Sequence, residues 1–149
     1  MTSRNPTAAH VFRRLHEEGL LVLANAWDAG SARLIESLGA KAIATSSAAV
    51  AWSHGYADGD LLPVPSLAAT VSDITRVVKV PISADVEGGY SNDPSAVADT
   101  VAAVIDAGGV GINIEDGTGD PDLLCAKIER SKAAGAMPYA EINALMVDR

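Results

Sequence analysis

One pattern recurs four times along this chain of 149 residues: a short, continuously apolar run, a polar exit, then a stretch with helical periodicity. The runs are 20–24 (LLVLA), 42–45 (AIAT), 80–84 (VPISA) and 110–114 (VGINI). Each is too short for a helix and apolar at successive positions, as in a strand covered on both faces. The stretches between them predict helices over 30–38, 67–78, from Asp93-Pro94 to about 107, and 121–134. Val71, Ile74 and Val78 share one face of the second of these, and Val97, Val101, Val104 and Ile105 one face of the third. Gly39, Gly108-Gly109 and Gly135 stand where a left-handed residue closes a helix. Ser66 is the expected N-cap of the 67–78 helix, and Asp93 followed by Pro94 is a capping carboxylate with proline at the first helical position. Ala8, Val11, Phe12 and Leu15 add a lead-in helix over 7–18. Strand, loop and helix in that order, four times, predict an α/β fold with a parallel sheet of βα units. Residues 136–149 leave a fifth strand open, around 139–144. No low-complexity linker interrupts the chain, so a single domain over 1–149 is expected.

Composition removes several function classes. Nineteen acidic against eleven basic side chains give a net charge of −8, which disfavours nucleic acid and anionic lipid as partners. No apolar run approaches the roughly 20 residues of a membrane helix. The N-terminus lacks the apolar core of a secretory signal, and the one cysteine, Cys125, can form no internal disulfide, so a cytoplasmic setting is expected.

In a parallel α/β sheet all strand-to-helix loops emerge at one end, where ligand sites collect. Between Val80 and Ala126 there are nine Asp or Glu residues and no Lys or Arg, and three of the nine, Asp85, Glu87 and Glu115, lie at strand exits. Asp85 and Glu87 are two apart and share a side if the strand continues, and Glu115 can converge on them from the neighbouring strand. Such carboxylates repel one another and raise one another's pKa values, a conflict that a hard divalent ion such as Mg²⁺ resolves. The competing reading makes them helix caps or solvated loop charges. Ser46 and Ser47 leave the second strand and can offer amides and hydroxyls to a carboxylate or phosphonate, or simply permit tight packing. Trp27 and Trp52 can wall the site or merely pack. Asp58 and Asp60 lie in a second loop longer than connection requires, the kind that gates or contacts ligands. His54 is a candidate acid or base, His10 and His16 read as surface residues, and Cys125 as a packed small residue rather than a nucleophile.

Three segments together carry a family resemblance: LANAWDAGSARLIESLGAKAIATSSAAVAWSHGYADGD at 23–60, ADVEGGY at 84–90 and VGINIED at 110–116. In this order and spacing they resemble the isocitrate lyase/phosphoenolpyruvate mutase superfamily, most closely its phosphonomutase-like branch. That branch includes methylisocitrate lyases, oxaloacetate-type decarboxylases and phosphonopyruvate enzymes. The resemblance implies a (β/α)₈ barrel, of which this chain supplies four clear βα units and a doubtful fifth. It assigns Asp85, Glu87 and Glu115 to a Mg²⁺ shell, Ser46, Ser47 and Ala48 to the substrate carboxylate, and Asp58 to the reacting centre. Trp27 is added as a wall of the substrate site. The implied activity is a lyase or phosphonomutase-like cleavage or formation of a C–C or P–C bond next to the carbonyl of a small 2-oxo or 2-hydroxy acid, through a metal-stabilised enolate.

Two departures narrow the expectation. Isocitrate-type members carry Lys-Lys-Cys-Gly-His after the fourth strand, where this chain reads Asp116-Gly117-Thr118-Gly119-Asp120-Pro121. The absence of that motif disfavours an isocitrate-type lyase. The family's fifth strand normally ends in an Asn-Ala-Arg-Thr-Asp type sequence whose arginine grips the substrate, where this chain reads Ile142-Asn143-Ala144-Leu145-Met146 without the arginine. The alternative function is a truncated, inactive relative that persists as a half-barrel or assembly partner, with exposed sheet edges driving formation of a homo-oligomer.

Overall fold

The structure is a computed structural model that describes residues 6–17, 19–133 and 141–145. Its elements run α1 (Pro6–Glu17), β1 (Ala24–Ala26), α2 (Ala29–Ser37), β2 (Ile43–Thr45), α3 (Ser47–Ser53), α4 (Val64–Val77), β3 (Ile82–Asp85), α5 (Pro94–Asp106), β4 (Gly111–Glu115), α6 (Pro121–Ala133) and β5 (Glu141–Leu145). All neighbouring strands are parallel and the sheet order is β1-β2-β3-β4-β5. A strand order that never reverses has no switch point, which excludes the doubly wound arrangement and leaves the singly wound order of a barrel. The crossover helices form one outer layer, α2 packing on α4, α4 on α5 and α5 on α6. The fold is thus a parallel α/β sheet, as the βα repeat predicts, and part of a (β/α) barrel, as the family resemblance implies.

The outer core lies between the sheet and these helices. Val71, Val86, Val97, Val101, Val104, Ile112, Ile114 and Leu124 form its largest cluster, and Ile43, Ile74 and Ile82 anchor a second under α2 and α4. Alternate residues of β3 and β4 face the other way. Ser83 pairs with Gly111 and Asp85 with Asn113, which puts Asp85 and Glu115 on the inner face at the strand exits. At the opposite end α1 plugs the inner face. Phe12 is fully buried, with Ala9, Ala42 and Val110 around it. Gly111 makes room for it, since a Cβ there would stand 2.5 Å from Phe12 Cε1. Beside it, the fully buried Ser83 hydroxyl is the one buried side-chain polar atom without a hydrogen-bond partner among the described residues.

Several expectations need correction. The first strand is 24–26, not 20–24, because β1 has β2 as its only described neighbour and pairing begins at Ala24↔Ile43. Leu20 is 92% and Val22 70% exposed, while Leu21 and Leu23 pack against the α1 cluster. The long second loop contains α3, capped by Ser46, whose Oγ accepts from the Ala49 N–H at 3.4 Å. Ser66 is not a cap. Helix α4 begins at Val64 after Pro63, and the Ser66 N–H donates to the Pro63 carbonyl at 2.8 Å. Cys125 is exposed rather than packed. The Asp93 cap stands as expected, accepting from the Ser95 N–H at 2.9 Å. The open question at 139–144 is answered by a strand at 141–145 in parallel register with β4. Gly135, expected to end the last helix, falls outside the described residues. No helix among the described residues is long and apolar enough to cross a membrane.

Candidate active site

Asp85 ends β3 and is fixed by three hydrogen bonds. Its N–H donates to Thr45 Oγ1 at 2.8 Å, so the buried threonine that ends β2 sets where the β3 exit begins. Its Oδ2 accepts from the Ser47 N–H at 3.2 Å, and its Oδ1 accepts from the Glu87 N–H at 3.1 Å. Half-buried Glu115 ends β4, and its N–H donates to the Glu87 carbonyl at 2.9 Å. Its carboxyl is pushed above the usual carboxylate range, first by burial, then by the charges of Asp85, Asp58, Glu87 and Asp116. Asp58 is thereby placed within electrostatic reach of Glu115, although it comes from a loop 57 residues earlier (115 − 58).

Glu87 departs from its expected part. It is 4% exposed, and both carboxylate oxygens are engaged within the protein. Oε2 accepts from the Gly59 N–H at 2.8 Å and from the Asp60 N–H, and Oε1 accepts from the Tyr90 hydroxyl at 3.1 Å. Burial first, and then the Glu87 charge, push the Tyr90 phenol far above its ordinary range. The expected shell of three converging carboxylates is therefore not assembled: among the described residues no three His, Cys, Asp or Glu side chains are placed to hold one ion. Asp85 and Glu115 remain as hard oxygen donors facing a cation-poor site. That set fits Mg²⁺, which takes one or two carboxylates directly and keeps several waters.

Sequence reasoning missed two residues here, Tyr90 and Lys127, and gave Asp60 only as part of a loop that gates or contacts ligands. Asp60 accepts from the Tyr90 N–H at 3.0 Å, tying the second loop to the β3 exit from the other side. Tyr90 and Asp60, with Glu87, are the three non-glycine residues with positive φ among the described residues, at +62°, +60° and +51°. Backbone strain of this kind costs on the order of 1–3 kcal/mol per residue and persists where surrounding bonds over-determine it. Lys127 of α6 is 7% exposed and donates from Nζ to the Gly88 carbonyl at 2.7 Å. The available signal was its position, the first basic residue after the acid-only stretch of 80–126. A polar cavity of about 420 Å³ is lined by Asp60, Glu87, Glu115, Asp116, Asn92 and Lys127 among others.

The remaining candidates fall elsewhere or are already engaged. The Ser47 amide is given to Asp85 and the Ser46 hydroxyl to helix capping, while Ala48 follows in the first turn of α3. Trp27 is 44% exposed and lines a separate concavity with Ser53, His54, Thr70 and Asp73. His54 Nε2 hydrogen-bonds Thr70 Oγ1 at 2.8 Å, a structural link between α3 and α4 well outside the acidic cavity. A larger, mainly apolar groove of about 480 Å³ lies by β1 at the strand-entry end, lined by Leu15, Leu20, Val22, Ile35 and Leu38.

Comparison with known proteins agrees with this architecture. Residues 12–145 match the family model described as phosphoenolpyruvate phosphomutase. An uncharacterized protein of Mycobacterium tuberculosis is 39% identical, over 89% of this chain and 51% of its own length. The 2-methylisocitrate lyase of Aeropyrum pernix is 36% identical, over 71% of this chain and 34% of its own. The crystal structure of phosphoenolpyruvate phosphomutase from Streptomyces platensis superposes with a TM-score of 0.85 at 26% identity, covering 93% of this chain and 53% of that one. The chain thus spans about half the length of the first of these relatives, and a third of the second.

Proposed function

Because the chain belongs to the phosphoenolpyruvate phosphomutase family through residues 12–145, we propose that it carries the metal-binding side of a Mg²⁺-dependent active site for a small 2-oxo or 2-hydroxy carboxylic acid. The reaction is cleavage or formation of a C–C or P–C bond at the carbon next to the carbonyl. The observation that carries this reading is that Asp85 and Glu115 end two paired neighbouring strands on the same face, within a stretch from 80 to 126 that has no basic side chain.

Asp85 and Glu115 would hold the ion. Bound there, Mg²⁺ supplies the positive charge that stabilises an oxyanion developing on the substrate. The chain's own residues prepare the place. Thr45 Oγ1 holds the Asp85 backbone N–H, and the Ser47 amide holds the Asp85 carboxylate, at the β3 exit. The first turn of α3, with Ser46, Ser47 and Ala48, lies beside it and is the proposed seat of the substrate carboxylate. Asp58 is carried to the charge cluster by its loop and is the proposed proton-handling group at the reacting centre. Trp27 is the weakest of the proposed substrate contacts, since it lines a different concavity. The two mapped relatives with named activities, a lyase and a phosphomutase, support carbon–carbon or carbon–phosphorus chemistry without choosing between them.

A coupled assay for pyruvate release from oxaloacetate, phosphonopyruvate and 2-methylisocitrate, with and without Mg²⁺, tests the reading. Metal-dependent turnover of one substrate is the expected result. A folded sample inactive on all three, with no Mg²⁺ dependence, contradicts it. A second reading, an assembly partner that forms homo-oligomers, is favoured by the exposed Leu20, Val22 and Leu38 near β1, one side of which has no strand neighbour among the described residues. Light scattering tests it: a monodisperse monomer at all concentrations argues against assembly through this edge.

A further inference from the structure

We propose that Glu87 and Lys127 are positioning residues, which clamp the loop at 58–60, and with it the backbone that carries Asp58, to the β3 exit. The clamp is built from both sides. Glu87 Oε2 receives the consecutive N–H groups of Gly59 and Asp60, and Asp60 Oδ1 returns to the Tyr90 N–H at 3.0 Å. The Tyr90 hydroxyl donates to the remaining Glu87 oxygen, so the buried carboxylate has three donors. The close approach requires Gly88, where a Cβ would stand 2.9 Å from Asp60 Oδ2. It also requires Gly89, at φ +91°, where a Cβ would meet Val97 at 2.7 Å. Lys127 fixes this turn from α6 through the Gly88 carbonyl.

The geometry gives Glu87 a different duty from Asp85 and Glu115. Two amides and a phenol already take three of the roughly four lone-pair sites of this carboxylate, and turning it towards an ion would release the loop that carries Asp58. The Lys127 ammonium keeps its charge while it donates to the Gly88 carbonyl, so it ties the turn and adds a positive charge to the lining of the acidic cavity. All three left-handed non-glycine residues of the described chain, Asp60, Glu87 and Tyr90, lie in this one network. Its importance for catalysis rests on the function proposed above, whereas its existence does not.

The test measures amide hydrogen exchange at Gly59 and Asp60 by NMR, together with Mg²⁺ affinity by calorimetry. In Glu87→Ala, exchange at these two amides is expected to speed up at least tenfold, with Mg²⁺ affinity within about threefold of wild type. Glu87→Gln, which keeps an oxygen acceptor, is expected to restore protection to within about threefold. Lys127→Met, which keeps the stem but releases Gly88, is expected to speed exchange at the same amides. Unchanged exchange in Glu87→Ala overturns the clamp. So does a loss of Mg²⁺ affinity in Glu87→Gln as large as in Asp85→Asn, since Glu87 then acts as a ligand. If Glu87→Ala fails to fold, Tyr90→Phe and Lys127→Met decide by the same exchange measurement, and protection unchanged in both overturns the proposal. If Asp85→Asn leaves Mg²⁺ affinity intact, the metal reading fails, while the exchange result still judges the clamp.

Discussion

Replacing Gly111 by alanine is expected to destabilise the protein, and the sign of the effect is informative. In an extended strand alanine ordinarily gains about 0.5–1 kcal/mol over glycine, because the unfolded chain loses freedom. Here the new Cβ would stand 2.5 Å from Phe12 Cε1, 3.2 Å from Phe12 Cδ1 and 3.1 Å from Ser83 Oγ. The nearest of these is about 1.0–1.5 Å inside the usual 3.5–4.0 Å carbon–carbon separation. Phe12 is fully buried between α1 and the inner face of the sheet, so it has little room to retreat. Overpacking of this kind costs about 1–3 kcal/mol. At roughly 2–4 °C per kcal/mol for a chain of this size, the melting temperature falls by about 2–12 °C. Phe12→Leu creates a cavity on its own but relieves the clash, so the double variant should lose less than the sum of the two single losses, with a coupling of at least about 0.5 kcal/mol. Urea denaturation of the four proteins measures this. A Gly111→Ala variant more stable than wild type, or strictly additive losses, refutes the docking of α1 as the plug of the inner face.

Other outcomes follow from single residues. Ser83→Ala removes a buried hydroxyl without a partner and is expected to be neutral or to raise stability by about 1 kcal/mol; a loss larger than that would reveal a hydrogen bond. Asp28 caps α2, accepting from the Ser31 N–H at 2.6 Å, and this bond holds its carboxyl below the usual range. Asp28→Ala should therefore cost about 1 kcal/mol at neutral pH. A folded-state pKa below the unfolded one contributes stability above the unfolded value of about 3.9 and loses it as pH falls through the folded value. The advantage of wild type over Asp28→Asn should accordingly begin to shrink near pH 4 and vanish only once pH has fallen through the lowered folded value, as followed by thermal melts. Glu115 has the opposite sign, since its raised pKa means that ionisation costs stability. In metal-free buffer at pH 7, Glu115→Gln should melt above wild type, and the gap should close as pH falls through the raised value toward the ordinary carboxylate range; no gap at pH 7 argues against the acidic field.

Much of the architecture is legible in the sequence because burial on both faces leaves an unmistakable apolar run. The runs at 42–45, 80–84 and 110–114 all contain strands, whereas 20–24 misleads. Leu20 and Val22 are as apolar as core residues, yet β1 has one described neighbour and pairs only from Ala24. Helix α3 went unread because its seven residues are too few to show a helical period, and its start depends on the Ser46 cap. For the site, strand-exit position alone brings Asp85 and Glu115 together. What it could not give is the direction of the Glu87 carboxylate, which depends on left-handed backbone at Glu87 and on two amides 27 and 28 residues earlier. Two-residue spacing implies a shared side only while the strand continues, and β3 ends at Asp85.

Calorimetric titration of the metal-free protein with MgCl₂, on wild type, Asp85→Asn and Glu115→Gln, tests the metal site most directly. One saturable site is expected in wild type, weakened at least tenfold, or about 1.4 kcal/mol, in each variant. Equal affinity in all three, or no saturable heat in wild type, contradicts Mg²⁺ binding at Asp85 and Glu115.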